Sequence, residues 1–281
     1  MHIILNLLEI FLLLITIVVI VTYILRRYEL GNREIVTSAP SVNTSTMERA
    51  IGIAGEIGAS FLSLLLYPLG YITGESSVAD IRAGEPAIIL CHGYMHNRSA
   101  FLLMKHRIRK AGWNNLFVPN FRPASASIPC FADQLSQKVR YAMSLTGCDK
   151  VNLIGHSMGG LVVRYYMEKL DGASGVETAI TLGTPNRGTK MAALGLFETA
   201  SQFRPDSALI TELAQTPSSC SGVNMVSVWS DFDNVVLPAE NASLPEPCTN
   251  IVVSSVGHVA LLFSRRVFDH VCREIAGSRA A

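Results

Sequence analysis

Gly155-His156-Ser157-Met158-Gly159-Gly160 stands between an apolar run, Val151–Ile154, and a helical pattern, Leu161–Leu170. Strand, tight turn and helix in that order are the context in which G-x-S-x-G carries chemistry. A residue on such a turn takes unfavourable backbone angles, so the residues two before and two after it must be small. Gly155 and Gly159 meet that demand. The Ser157 hydroxyl is then held clear of the sheet at the positive end of a helix, a place that favours the oxyanion formed when an acyl carbon is attacked. The plain alternative is a chance glycine-rich turn, and the ordered strand, elbow and helix stand against it.

A serine becomes a nucleophile only beside a base, itself oriented by an acid. On strand–elbow–helix scaffolds these follow in the order Ser, Asp or Glu, His. Two strand-like runs downstream of Ser157 each lead directly into titratable residues. Met225–Trp229 is followed by Ser230-Asp231-Phe232-Asp233-Asn234-Val235-Val236-Leu237-Pro238, and Ile251–Val253 by Ser254-Ser255-Val256-Gly257-His258. Both groups should reach the same sheet edge as Ser157. His258 is the only histidine between Ser157 and His270, and His270 falls deep in the last helical pattern, so His258 is the expected base. Asp231 and Asp233 both stand near the strand end as candidate acids, and Asp231 also suits a turn cap.

Further strand-like runs are Ala87–Cys91, Leu116–Val118 and Thr178–Leu182, six in all with those above, and helical patterns cover Ser99–Ala111, Phe131–Leu145, Met158–Leu170 and Val259–Ile275. Strands that are apolar throughout are buried on both faces, and their alternation with helices predicts a mostly parallel sheet covered on both sides. The alternation fails over about 189–222, where Met191–Phe203 and Ser207–Ala214 suggest a small helical cap over the strand ends, either a gating lid or a plain excursion. The globular domain is expected over 81–281.

The N-terminus differs. Ile3–Leu25 is almost continuously apolar, followed by Arg26 and Arg27. As a helix it would be roughly 35 Å long, enough to cross a bilayer core. A cleaved signal peptide would want a basic residue before the run and a small-x-small site soon after it, and only the distant Thr37-Ser38-Ala39 comes near. Residues 1–28 are therefore expected to be an uncleaved transmembrane anchor. Over 29–80, Gly31–Ala50 has linker composition. Ile51–Ile72, interrupted by Glu56 and Pro68, suits a helix lying on the membrane or packed on the domain near its entrance, or else a second span. Arg26, Arg27, Arg33 and Arg49 lie between the two apolar stretches, so two spans would place the domain outside and one span inside.

Hydrophobic residues make up 49% and charged residues 16%, values that suit a globular core plus a membrane segment. A net charge of +1 gives no basic stripe for nucleic acid. No cofactor is expected. His92 and His96 have i,i+4 spacing, but Gly93 argues against the helix that would turn them into a metal pair. Of six cysteines, Cys91 falls in an apolar run and suits a buried thiol. Cys220 and Cys248 lie in loop-like sequence; a bridge there would imply an oxidising compartment, though spacing does not fix connectivity.

From Ala87 to Ile275 the chain resembles the bacterial lipase/esterase branch of the α/β-hydrolase superfamily, the triacylglycerol lipase-like enzymes. Asp233, Val236 and Pro238 match its D-x-x-V-x-P setting for the acid, Cys91-His92-Gly93-Tyr94 resembles its HG turn, Leu182–Thr189 is similar to its LGTPxxGT segment, and Pro205, Ser207 and Leu213 match its cap. The resemblance implies the α/β-hydrolase fold, Asp233 as acid, and an oxyanion hole from the backbone N–H groups of Tyr94 and Met158. It also implies a Cys220–Cys248 disulfide flanking the acid, and with it an exported domain on the periplasmic side of a bacterial inner membrane. The implied activity is hydrolysis of a carboxylic ester of lipid-like character through an acyl-enzyme. An acyltransferase on the same triad and a catalytically idle, membrane-bound binding module are the alternatives. A retained anchor and a small cap depart from the secreted lipases of this branch and leave triacylglycerol specificity open. Oligomeric state is not legible.

Overall fold

The computed structural model describes residues 2–32, 45–72, 81–215 and 222–277. Among them the helices are α1 (His2–Gly31), α2 (Thr46–Leu65), α3 (Leu69–Ile72), α4 (Leu102–Lys110), α5 (Ile128–Thr146), α6 (Met158–Lys169), α7 (Phe197–Ser201), α8 (Ala208–Gln215) and α9 (Arg265–Gly277). The strands are β1 (Ala87–Cys91), β2 (Leu116–Phe117), β3 (Val151–His156), β4 (Val176–Leu182), β5 (Asn224–Ser230) and β6 (Thr249–Val253). They form one sheet in the order β2-β1-β3-β4-β5-β6, parallel at every pairing.

The unbroken apolar character of the strands has a direct physical cause. Along β1, Ala87, Ile89 and Cys91 join one core with Phe131, Leu135 and Leu161, while Ile88 and Leu90 join the other with Met104, Ile108 and Val271. Alternate residues thus enter two separate cores, α5 and α6 on one side and α4 and α9 on the other. Local signals set the helix ends. Ser127 caps α5 through the Cys130 N–H, Pro129 occupies its first turn, and Gly147 ends it in the left-handed region at φ 71°.

The chain leaves β1 toward β2 and then crosses to β3 on the other side, so the crevice between the carboxyl ends of β1 and β3 is the switch point where such sheets bind ligands. Tyr94 follows β1 and Ser157 follows β3.

Several expected helices are shorter or broken. α9 starts at Arg265 rather than Val259, because residues Ala260–Leu262 form a separate 3-10 turn. The Met191–Phe203 pattern splits at Gly195 into a 3-10 turn, Lys190–Leu194, and α7. The first turn of the Ser99–Ala111 pattern is also 3-10, over Arg98–Phe101.

α1 is long and apolar enough to cross a membrane. One stripe of it, Ile15, Val19 and Tyr23, packs on Phe232 and on Ile53, Ile57 and Phe61, while Leu13, Ile17, Val18 and Ile24 are exposed. α2 opens with a capping box between Ser45 and Glu48 and packs along α1. The expected linker falls largely on 33–44, outside the described residues.

Candidate active site

Ser157 occupies the turn between β3 and α6 at φ 53° and ψ −125°, a strained conformation for a residue with a side chain. Its N–H donates to Leu182 O at 2.9 Å, which fastens the turn to the end of β4. The flanking glycines are required by contact. A Cβ on Gly155 would strike the backbone of Gly159 and Gly160, and one on Gly159 would strike the Cys91 carbonyl. Gly159→Ala is therefore expected to lower stability by about 3 kcal/mol, the upper end for overpacking against backbone that cannot yield. Thermal unfolding followed by circular dichroism measures it.

Asp233 lies three residues beyond β5, fully buried at 0% exposure. Its Oδ1 accepts from the N–H groups of Val235 and Val236, each at 2.8 Å. Its Oδ2 accepts from His258 Nδ1 at 2.8 Å. That contact fixes the His258 tautomer with the proton on Nδ1 and leaves Nε2 as a free base. Asp231, the other acid candidate, faces elsewhere: Oδ2 accepts from Ser254 Oγ at 3.3 Å and its carbonyl accepts from Arg26 at 2.6 Å.

His258 is brought beside the elbow. Its ring lies 4.8 Å from that of His156, and its carbonyl accepts from His156 Nε2 at 3.1 Å. A Cβ on Gly183, next to the Leu182 carbonyl that Ser157 bonds, would sit 3.2 Å from Asp233 Oδ2 and 3.4 Å from His258 Nδ1. Ser157, Asp233 and His258 thus share one corner at the carboxyl ends of β3, β4, β5 and β6. Among the described residues no hydrogen bond joins Ser157 Oγ to His258, a contact that often tightens only with substrate bound.

Gly93 lies against Ser157, where a Cβ would come 3.2 Å from the serine Cβ, so the Gly93–Tyr94 peptide borders the elbow. Met158 opens α6, where backbone N–H groups have no intrahelical partner. The Tyr94 hydroxyl donates to Leu196 O and its ring packs edge-on to Phe203, linking this turn to the segment of α7. His92 is a brace for the same turn: Nδ1–H donates to Gly93 O at 2.9 Å and Nε2 accepts from Phe121 N–H at 3.1 Å.

The histidines divide electrostatically. Burial pushes His92 down to about 4 and His156 well below its usual value, so both are neutral. For His258 burial also opposes protonation, but the Asp233 charge and hydrogen bond, with the Glu56 charge, outweigh it and raise the imidazole above the ordinary 6.5.

Three contributors escaped the sequence reading. Asn234 Oδ1 accepts from His258 N–H at 3.0 Å, and its Nδ2 donates to Thr22 Oγ1 on α1 at 2.8 Å. Glu56 on α2 accepts from the N–H groups of Val259 and Ala260 at 2.9 and 2.8 Å. The His156 ring packs tilted against that of His258. The signal for Glu56 was in view: a lone acidic residue within a helical apolar run.

Cys91 is fully buried, as its run implied. Cys220 lies outside the described residues, and with it the expected bridge to Cys248, which is buried just before β6. His270 is half-buried on α9, where its Nδ1 accepts from Arg273 at 2.8 Å, away from the elbow.

A model of the palmitoyl protein thioesterase family matches residues 87–231, from β1 to just past β5. A triacylglycerol lipase of Pseudarthrobacter phenanthrenivorans is 43% identical over 60 residues, 21% of this chain and 18% of that protein, so the chain matches less than a fifth of the length of this curated relative. Among solved structures, Aspergillus fumigatus lipase B superposes with a TM-score of 0.60 at 17% identity, over 66% of this chain and 51% of that one. The mature form of Bacillus licheniformis lipase BlEst2 gives 0.59 at 17% identity, over 70% of this chain and 95% of that one. These structural likenesses speak for the fold, and the family match spans more than half of the sequence. With the parallel six-stranded sheet and its elbow, they establish that the chain has the α/β-hydrolase fold and belongs to the palmitoyl protein thioesterase family.

Proposed function

We propose that the chain is a serine hydrolase that cleaves carboxylic esters of hydrophobic, lipid-like acyl substrates through an acyl-enzyme. The observation that carries this reading is the strained Ser157 elbow sharing a sheet edge with a buried Asp233–His258 pair in contact at 2.8 Å. In the mechanism, Ser157 Oγ attacks the acyl carbon while His258 Nε2 takes its proton. Asp233 holds the tautomer and stabilises the imidazolium. The N–H groups of Tyr94 and Met158 receive the oxyanion. The imidazolium returns its proton to the leaving alkoxide, and water then attacks the acyl-enzyme with His258 again as base.

The matched triacylglycerol lipase supports an oxygen ester of a lipid-like acyl group. The family description favours a second leaving group, a thiolate, which the same acyl chemistry expels. α1 serves as membrane anchor in this reading, and the segment 189–222 as a cap whose exposed Leu194, Leu196 and Phe197 offer apolar surface near the site.

The test is hydrolysis by the detergent-extracted protein of p-nitrophenyl palmitate, p-nitrophenyl acetate and palmitoyl-CoA. The long ester is expected to give the highest kcat/KM, and no turnover of any of the three would overturn the reading. The pH dependence supplies a sharper check. Only neutral His258 accepts the serine proton, and its folded-state pKa is raised, so kcat/KM rises with pH through a midpoint above 6.5. His92, His96 and His156 are all lowered, so a limb above 6.5 belongs to none of them.

A further inference from the structure

α2 lies outside every strand–helix–strand unit of the sheet, yet one face of it touches both loops that carry the proposed chemistry. Its buried residues are Gly52, Glu56, Ala59 and Ser63, a single stripe at helical spacing, and two of the four are polar. At Gly52 the helix backbone is so close that a Cβ would lie 2.8 Å from both the Phe232 ring and the Ser255 carbonyl, one on the acid loop and one on the histidine loop. At the far end Ser63 Oγ shares a hydrogen bond of 2.6 Å with His96 Nε2, two residues past the Tyr94 turn. Between them stands Glu56, only 1% exposed.

A carboxylate in that position gives up its hydration, and stands there only where donors satisfy its oxygens. Each oxygen takes one donor: Oε1 the Val259 N–H at 2.9 Å, Oε2 the Ala260 N–H at 2.8 Å. These are the two peptide groups directly after His258, at the start of the Ala260–Leu262 turn, where backbone donors lack partners within the turn itself. The peptide N–H of His258 is taken by Asn234, which α1 holds through Thr22. Three successive N–H groups around the base are therefore fixed by side chains, two of them by α2 directly and one by a residue tied to α1. Gly257 completes the fit, since a Cβ there would collide with the Glu56 carboxylate.

We propose that Glu56 is a positioning residue for His258, and that the α1–α2 pair is by this route a working part of the catalytic unit as well as an anchor. This rests on the hydrolase reading above. Glu56 touches no reacting atom; it clamps the peptide units that follow the imidazole, and so sets where Nε2 stands relative to Ser157.

Glu56→Gln is the direct test. It keeps the side chain's size but turns an amide NH₂ toward one of two N–H donors, so that peptide group loses its acceptor. The full-length, detergent-extracted protein is assayed on p-nitrophenyl butyrate, with active sites titrated by a fluorophosphonate. Expected is a fall in kcat per titrated site of about 10- to 100-fold at nearly constant KM, the effect of a base displaced by a fraction of an ångström to an ångström. Glu56→Asp, which keeps two acceptor oxygens, is expected to recover part of the loss. If Glu56→Gln does not fold, Gly257→Ala is read instead; it keeps the carboxylate, displaces it, and is expected to lower kcat in the same way. A kcat per site equal to wild type, with any loss confined to melting temperature or to the titratable fraction, overturns the proposal while leaving the hydrolase reading intact. A folded wild type that neither turns over the ester nor reacts with the phosphonate overturns the hydrolase reading first and this inference with it.

Discussion

Replacing Ser157 with alanine is expected to lower kcat by about 10⁶-fold, the loss seen when a serine hydrolase is deprived of its nucleophile, and to leave the fold intact. The hydroxyl is the only atom removed. The bond from the residue 157 N–H to Leu182 O persists, and the left-handed backbone is imposed by β3, α6 and the glycines around it, so alanine is held in the same strained turn. Stability should change by less than about 1 kcal/mol, as for a small truncation without cavity formation. KM should change little, since the substitution removes only the hydroxyl and no apolar surface. Steady-state kinetics beside a melting curve separates the two quantities.

Asp233→Asn is expected to cost about 10⁴-fold in kcat, again without unfolding, for a reason specific to this loop. Asp233 Oδ1 accepts two backbone N–H groups, those of Val235 and Val236. An asparagine must keep its one oxygen there, because the opposite orientation would aim its NH₂ at two donors. Its NH₂ then faces His258 Nδ1, which can only accept. The imidazole proton moves to Nε2, the atom that has to receive the serine proton, and the base is disabled in place. The same substitution removes the charge that holds His258 above its usual value, so the residual activity should show an acid limb at lower pH than wild type.

Most of this fold was legible in the sequence because its strands are buried on both sides. Runs such as Ile88-Ile89-Leu90 face two cores and carry no polar alternation, which separates them from surface strands. The elbow was legible because its glycines answer to steric contact: Gly155 and Gly159 have no room for a side chain. The acid was not legible from residues alone. Asp231 and Asp233 stand two apart at the same strand end, and only the resemblance favoured Asp233; the structure places Asp231 against Ser254 and Arg26, and Asp233 against His258. The break before α9 was hidden for a different reason. Val259–Ser264 continues an apolar helical pattern, yet residues Ala260–Leu262 form a separate 3-10 turn, and Glu56, 203 and 204 residues away, takes the free N–H groups at its start. A sequence scan for membrane spans counts Glu56 as an interruption, and only the fold turns it into a ligand for the histidine loop. Gly52, Ala59 and Ser63 at helical spacing around it mark a face too small and too polar for lipid, which is the trace that tertiary contact left in the sequence.

In this reading Ser157 is a nucleophile activated by His258. That activation is tested most directly by exposing the detergent-extracted protein and its His258→Ala variant to a fluorophosphonate and locating the adduct by peptide mass spectrometry. A stoichiometric adduct on Ser157 is expected in the wild type and none, at the same exposure, in the variant. A folded wild type that stays unmodified, an adduct on another residue, or equal labelling of the variant would contradict it.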